Sequence, residues 1–322
     1  MTAVTLPLTP PIAPQLAKSA KDLPTGNGWV YEPKWDGFRT IVFRDGDDVY
    51  LQSRNGKPMN RYFPEVVESI KAMEGDRLVL DGEIAVVVDG IQEFDLLGQR
   101  IHPAASRIAM LAEQTPARFI AFDLLADGDE VLMELPYGER RERLLAAVGQ
   151  PIEVTPATDD REAAGAWLTG VSEGVVAKEA HCPYKPGERV GMCKIKRIRT
   201  ADLVVVAFRF GKHEGTLGSL ILGAYDDSGE LHVVGHTSGF TAKQKRELVG
   251  FIEPYRTYER GSGEPSRWKS DEELVWEGLR PELVVEVNFD HITGNRIRHG
   301  AKFVRWRDDK DPHECRMEQL RS

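Results

Sequence analysis

The run "WVYEPKWDGFRTIVF" (29–43) sets polar residues among aromatic and β-branched ones and reads as strand-like. The turn "RDGDD" and the β-rich "VYLQS" (49–53) follow it, so the stretch predicts a hairpin around an Asp-Gly pair. A helical period covers 61–74, with Pro64 near its start, and two more cover 103–114 and 136–148. "RLVLDGEIAVVVDG" (77–90) reads as a pair of strands with a turn. "RFIAFDLL" (118–125), "EGVVAK" (173–178) and "MCKIKRIR" (192–199) predict further strands. The first 199 residues therefore read as mixed α and β with mainly antiparallel pairing.

The texture changes near residue 200. Five β-rich runs follow: "ADLVVVAFRFG", "GSLILGAY", "ELHVVGHT", "ELVVEVNFD" and "RIRHGAKFVRWR". A helical segment, "TAKQKRELVGFI", falls between the third and the fourth. Five strands with a helix in that slot fit a small OB-type β-barrel, a fold that often holds nucleic acid. "TYERGSGEPSRWKSDEE" (257–273) looks like a loop insertion. The expected class is α+β in two domains, 1–199 and 200–322, joined by a hinge near 200.

Composition narrows this picture. No apolar run approaches the ~18 residues a membrane span needs, and the Pro-rich start does not resemble a signal peptide. Three cysteines, Cys182, Cys193 and Cys315, form no C-x-x-C pair, which argues against a disulfide framework or a structural zinc site and for a reduced, cytoplasmic protein. The net charge of −9 weighs against a nucleic-acid partner. Its distribution weighs the other way: "KIKRIR" (194–199) has four cations and no acid, and 296–310 has six against two. Such strand faces can steer a polyanion even on an acidic protein.

The candidate chemistry centres on Lys34. A free lysine, with a pKa of ~10.4, is protonated and inert at neutral pH. Burial and nearby cations lower that value. Trp35 and Phe38 could give a dry wall, and Lys194 and Lys196 could give like charge and hold an anionic electrophile. Glu83 and Glu173, in strand ends, could hold a divalent metal such as Mg²⁺. Together these suggest attack on a phosphate. No G-x-x-x-x-G-K-[ST] occurs, which disfavours a P-loop mechanism. Taken singly, each is an ordinary residue: a lysine before a turn, a turn acid, a core phenylalanine, strand-face lysines. The order of the segments is what carries weight.

That ordered set resembles the ATP-dependent DNA ligases of the covalent nucleotidyltransferase superfamily. "EPKWDGFR" is similar to the nucleotidyl-lysine motif K-x-D-G-x-R, and "SRNGK", "LDGE", "FDLL", "EGVVAK" and "KIK" follow in family order. "RWRDDK" (305–310) is similar to the R-x-D-K motif of the terminal OB domain. The likeness is strongest to compact bacterial members, the stand-alone ligase C and the ligase module of ligase D. "VGHTSGFT" (234–241) and Ala301 depart from the family pattern, where a more glycine-rich turn and a proline are common.

The resemblance implies a mainly antiparallel, ATP-grasp-like nucleotidyltransferase domain followed by an OB-fold domain. It implies a three-step reaction. Lys34 attacks ATP to give lysyl-AMP, AMP passes to the 5′-phosphate of a DNA nick, and the 3′-hydroxyl displaces it. Glu32 and Pro33 would meet the adenine edge, Phe122 and Val176 its faces, Arg39 the ribose and Arg54 a phosphate. Glu83 would bind ribose or metal, and Asp36 and Glu173 would serve a metal, Mg²⁺ or Mn²⁺. Lys194 and Lys196 would stabilise the α-phosphate. Arg307 and Lys310 would reach the departing pyrophosphate on closure of the OB domain. ATP rather than NAD follows from the missing cysteine quartet. The implied partners are nicked duplex DNA and, by analogy, a Ku-like end-binding protein or a repair polymerase, with the enzyme monomeric and nucleoid-associated. An RNA ligase or a capping guanylyltransferase of the same superfamily, and a non-catalytic OB-type binding module, are the alternatives.

Overall fold

The strand-like run 29–43 is two strands, β1 (Trp29–Pro33) and β2 (Phe38–Asp45), and they lie in different sheets. Pro33 ends the first because it has no N–H for the ladder. Gly37 leads into the second at a close approach: a Cβ there would stand 2.1 Å from the Ile84 carbonyl oxygen. Lys34 falls in the crossing between them. The computed structural model describes residues 6–101, 104–170, 172–213, 215–263, 274–290, 292–297 and 300–320. The chain divides into two units, Met1–Arg197 and Ile198–Ser322.

In the first unit, β2 pairs with β3 (Asp48–Ser53) in the expected hairpin and with β4 (Arg77–Ala85) on its other side. β4 runs unbroken through Asp81 and Gly82, so the turn of "RLVLDGEIAVVVDG" lies further on, at Asp89–Gly90 between the short strands Val87–Val88 and Ile91–Gln92. Ladders on both edges of β4 override the turn preference of its Asp-Gly pair. β5 (Arg118–Asp127), with Glu130–Val131 and Glu153–Val154 paired to it, completes the sheet, which is antiparallel except at Glu153–Val154. Helices α1 (Pro64–Ala72) and α2 (Ala105–Gln114) occupy the expected places, and α3 (Tyr137–Ala147) packs along β5. The expected 61–74 helix is preceded by a short 3₁₀ turn, Asn60–Tyr62.

Alternation sorts both sheet faces. Val42, Leu78, Leu80, Phe119 and Leu124 join Val66 and Ile70 of α1 and Leu144 of α3 in the main core. Ile41, Phe43, Val79 and Leu125 pack on the opposite face around Tyr184. The second sheet holds β1, β6 (Gly174–Glu179) and β7 (Met192–Lys196), with Lys18–Ser19 at its edge. Tyr31, Val175, Ala177 and Ile195 point from it to one core, under α4 (Arg161–Thr169), a helix the periodicity did not announce. The alternate positions Glu32, Val176, Lys178, Lys194 and Lys196 therefore point the other way.

The second unit is built on β8 (Arg199–Phe210), so "MCKIKRIR" is divided between two strands. β8 pairs with β9 (Leu217–Tyr225), and β9 with β10 (Leu231–Thr237). Helix α5 (Ala242–Ile252) carries a capping box between Thr241 and Gln244. The segment 257–273, read as a loop, instead begins as strand β11 (Arg256–Gly263), which pairs with β12 (Leu274–Leu279); residues 264–273 lie outside the described residues. Its Gly- and Ser-rich composition hides a strand that is held by ion pairs: Arg256 and Arg260 both meet the buried Glu277. β13 (Val284–Phe289) pairs with the first half of β8 and with β14 (Lys302–Trp306). "RIRHGAKFVRWR" is thus broken into Arg296–Ile297 and β14, and Arg298 and His299 lie outside the described residues. Thr237 bridges Ala301, whose N–H donates to the His236 carbonyl at 2.8 Å. The ring β8, β9, β10, β14, β13 then closes on β8, which is the OB-fold barrel around Leu203, Val205, Leu220, Val285 and Val287. Among the described residues no helix is long and apolar enough to cross a membrane.

Candidate active site

Between the two sheets of the first unit lies a cavity of about 560 Å³. β1 and the crossing after it bring Glu32, Pro33, Lys34 and Asp36 to its wall. β6 and β7 bring Val176 and Lys194, and β2, β4 and β5 bring Arg39, Glu83 and Phe122. Arg54, just past β3, is exposed at the cavity. Ten candidates separated by up to 162 positions in sequence therefore face one space: Glu32, Val176 and Lys194 share the sheet face opposite Tyr31, Val175 and Ile195, while Lys34, Asp36 and Arg54 reach it from the segments after their strands. Glu173 joins through its bond to Lys34, and Lys196 through its ion pair with Glu173. Arg307 and Lys310 belong to the second unit, where Arg307 donates to both oxygens of Asp202 at 2.9 Å and Lys310 lies 3.3 Å from Glu314.

The Lys34 side chain is 19 % exposed, so it is sheltered but reachable. Its Nζ donates to the Glu173 carboxylate. Its backbone N–H donates to the Gly174 carbonyl at 2.9 Å. Gly174 has φ +151°, and a Cβ would meet the Ile195 carbonyl oxygen at 2.1 Å. Glycine at this place lets β6 close on β7 while its carbonyl holds Lys34. Lys196 Nζ lies 3.4 Å from the other Glu173 oxygen, and the Arg197 N–H donates to the Glu173 carbonyl at 2.9 Å. Burial, together with the like charges of Lys34 and Lys196, holds the Lys194 ammonium below the usual lysine range. The site is thus a cluster of cations around one anchored carboxylate, suited to a polyanion.

The opposite wall is set by Arg39. Its guanidinium grips Asp81 with Nε at 2.6 Å and Nη2 at 2.5 Å, and the Tyr184 hydroxyl donates to the same carboxylate at 2.6 Å. Arg39 also lies over the Phe122 ring, 4.4 Å from its centroid, and Lys178 Nζ lies 4.8 Å from it. Asp123, beside Phe122, is bound by Arg140 of α3. The Asp of "FDLL" is therefore structural, and it fixes the ring that lines the cavity.

Glu83 stands opposite Arg39 across the β2–β4 ladder. Burial pushes its carboxyl up to about 8, with Arg39 and Lys34 opposing the rise. Between the ordinary carboxyl value and about 8 the folded protein keeps a proton that the unfolded chain has released, so this group makes stability fall as pH rises through that window. Glu83→Gln is expected to remove that fall. Thermal melts of nucleotide-free, metal-free protein should show the variant gaining on the wild type at pH 6 and gaining several degrees more at pH 8.5; an equal shift at both would refute the assignment.

Asp36, Glu83 and Glu173 do not bring three ligand atoms together. Among the described residues the group close enough to do so is Asp226, Glu230 and His232 in the second unit. Glu173 is drawn instead to Lys34 and Lys196. Sequence reasoning missed Lys178, which lines the cavity and shares its strand face with Val176; the i, i+2 spacing in "EGVVAK" was the available signal. It also missed Tyr137, Arg141, Asp81 and Tyr184, which hold cavity residues from behind, and Arg189, which lines the cavity from a loop.

Comparison with known proteins identifies the family. Residues 12–196 match the ATP dependent DNA ligase domain family, and residues 213–310 match the ATP dependent DNA ligase C terminal region. The chain is 47 % identical to DNA ligase C1 of Mycolicibacterium smegmatis over 98 % of its length and 95 % of the relative's. It is 45 % identical to DNA ligase C of Mycobacterium tuberculosis, with the same coverage of both chains. Among solved structures it is similar to a mycobacterial DNA ligase D complexed with ATP and MES, with a TM-score of 0.52 and 28 % identity over 94 % of this chain and 97 % of the other.

Proposed function

The chain belongs to the ATP-dependent DNA ligases, and from that membership we propose that Lys34 is the nucleophile through which it seals nicks. The Lys34 amine attacks the α-phosphate of ATP, a phosphorus–nitrogen bond forms, and the α–β anhydride breaks to release pyrophosphate. AMP then passes to the 5′-phosphate of the nick, and the 3′-hydroxyl attacks that phosphate as AMP leaves. The observation that carries this reading is the convergence of Lys34, Arg39, Glu83, Phe122 and Lys194 on one cavity, with Glu173 bonded to the amine.

Each side chain then has a task. Lys194 and Lys196 offset the charge that builds on the α-phosphate. Glu173 orients the amine and stands ready for its proton. Arg39, braced by Asp81, takes the ribose; Phe122 and Val176 take the faces of the base, and Glu32 and Pro33 its edge. Arg54 holds a phosphate at the exposed rim. Arg307 and Lys310 are assigned to the pyrophosphate, for which they would exchange their present carboxylate partners.

Mg²⁺ or Mn²⁺ is assigned to Glu83 and Glu173, with Asp36 alongside. The residues fit such an ion: Mg²⁺ is commonly held by one or two carboxylates plus substrate phosphates, and Glu83 is an acid whose burial is not fully offset by its cationic neighbours. When bound, the ion would neutralise phosphate charge. Kinship to ligase C and ligase D supports a role in DNA repair, in the cytoplasm, as a monomer beside a Ku-like end-binding protein or a repair polymerase.

Mass spectrometry of protein incubated with ATP tests the central assignment. The peptide containing Lys34 is expected to carry an adenylate. An adenylate found only on Lys178 or Lys194 would overturn it.

A further inference from the structure

We propose that Tyr137 is a positioning residue that holds the Glu32 carboxylate in place as acceptor for the 6-amino group of ATP, so that the helix behind the cavity sets base selectivity. This rests on the reading of the cavity as the ATP site.

Glu32 lines the cavity, yet its side chain is only 3 % exposed. A carboxylate so enclosed needs partners, and it has three. The Tyr137 hydroxyl donates to Oε1. Lys178 Nζ lies 3.1 Å from Oε1 and 3.0 Å from Oε2. Arg141 Nη1 lies 3.6 Å from Oε1. Tyr137 and Arg141 sit one turn apart on α3, on one face of the helix. Neither lines the cavity, so both act through Glu32. Arg141 is fixed in turn by the Thr155 carbonyl at 2.9 Å. Burial and the Glu32 charge push the Tyr137 phenol well above its ordinary value, so it stays a donor.

Glu32 faces two cations and a phenol hydroxyl that donates to it, so its oxygens serve as acceptors in this cluster. A base edge carrying an amino group gains a hydrogen bond there. One carrying a carbonyl oxygen, as in GTP, meets two acceptors face to face. Arg140, on the same helix, braces Asp123 beside Phe122. α3 therefore supports both the edge contact and the ring.

The test compares ATP with purine riboside triphosphate, which has hydrogen in place of the 6-amino group. Lysine nucleotidylation is measured as kcat/KM in wild type, Tyr137→Phe, Glu32→Gln and the double variant. Tyr137→Phe should lose about tenfold or more on ATP and stay within about twofold on the analogue. It should add nothing further on ATP in the Glu32→Gln background. Equal losses on both nucleotides, including complete loss, would mean a merely structural role and overturn the proposal, as would a wild type that uses both equally well. A wild type that takes up neither nucleotide would overturn the Lys34 assignment itself, and this proposal with it.

Discussion

Lys34→Arg protein is expected to lose ATP-dependent nick sealing by about four orders of magnitude or more, as removal of the nucleophile does in other covalent enzymes. Arginine keeps the charge and can keep the bond to Glu173, so fold and cavity should survive. It cannot shed its proton at any workable pH, so no phosphoramidate can form. The loss should be confined to the first step. On a nick that already carries AMP on its 5′-phosphate, sealing needs only the 3′-hydroxyl attack, and the variant should remain within about tenfold of wild type. Gel assays of the two substrates side by side separate these outcomes. Full-rate sealing with ATP, or an equal collapse on the pre-adenylated nick, would remove Lys34 from its role.

The second large effect is on stability. Asp123 and Arg140 form a buried pair, with side chains 4 % and 2 % exposed and contacts of 2.7 and 2.9 Å. Asp123→Ala leaves a buried guanidinium without its counter-charge, although Arg140 still donates to the Leu135 and Cys182 carbonyls. The expected cost is about 3–5 kcal/mol, roughly 10 °C in melting temperature for a unit of this size. Replacing both residues by apolar ones of similar volume should recover much of the loss, since two desolvated charges are removed together. Calorimetry of the single and double variants decides the matter; a single-variant cost under about 1 kcal/mol would show that the pair does not brace the fold.

Much of the site could be read from the chain because its residues ride on strands. Once "EGVVAK" and "KIK" are strands, period two alone puts Val176, Lys194 and Lys196 on the face opposite Val175 and Ile195. The OB barrel was legible from five β-rich runs and one helix. Supports that arrive from elsewhere were not. Tyr137 and Arg141 lie on a helix whose pattern reports its core face but not which strand residue its other side chains reach. Asp81 sits in an Asp-Gly pair that suggests a turn, and only its neighbours in the sheet keep it extended. In the β11–β12 hairpin, β11 is Gly- and Ser-rich and is tied down by Glu277, a contact that no local pattern reveals. The division of the 29–43 run between two sheets was also hidden, since both halves are good strand sequence.

That division leaves the nucleophile hanging at a seam. Its main chain is stitched to one layer through Gly174, and three residues later the chain is woven into the other layer at Gly37. The reach of the amine toward a bound phosphate is therefore a measure of how the two layers are spaced. A substitution that shears one layer past the other would detune the chemistry while leaving every contacting side chain intact.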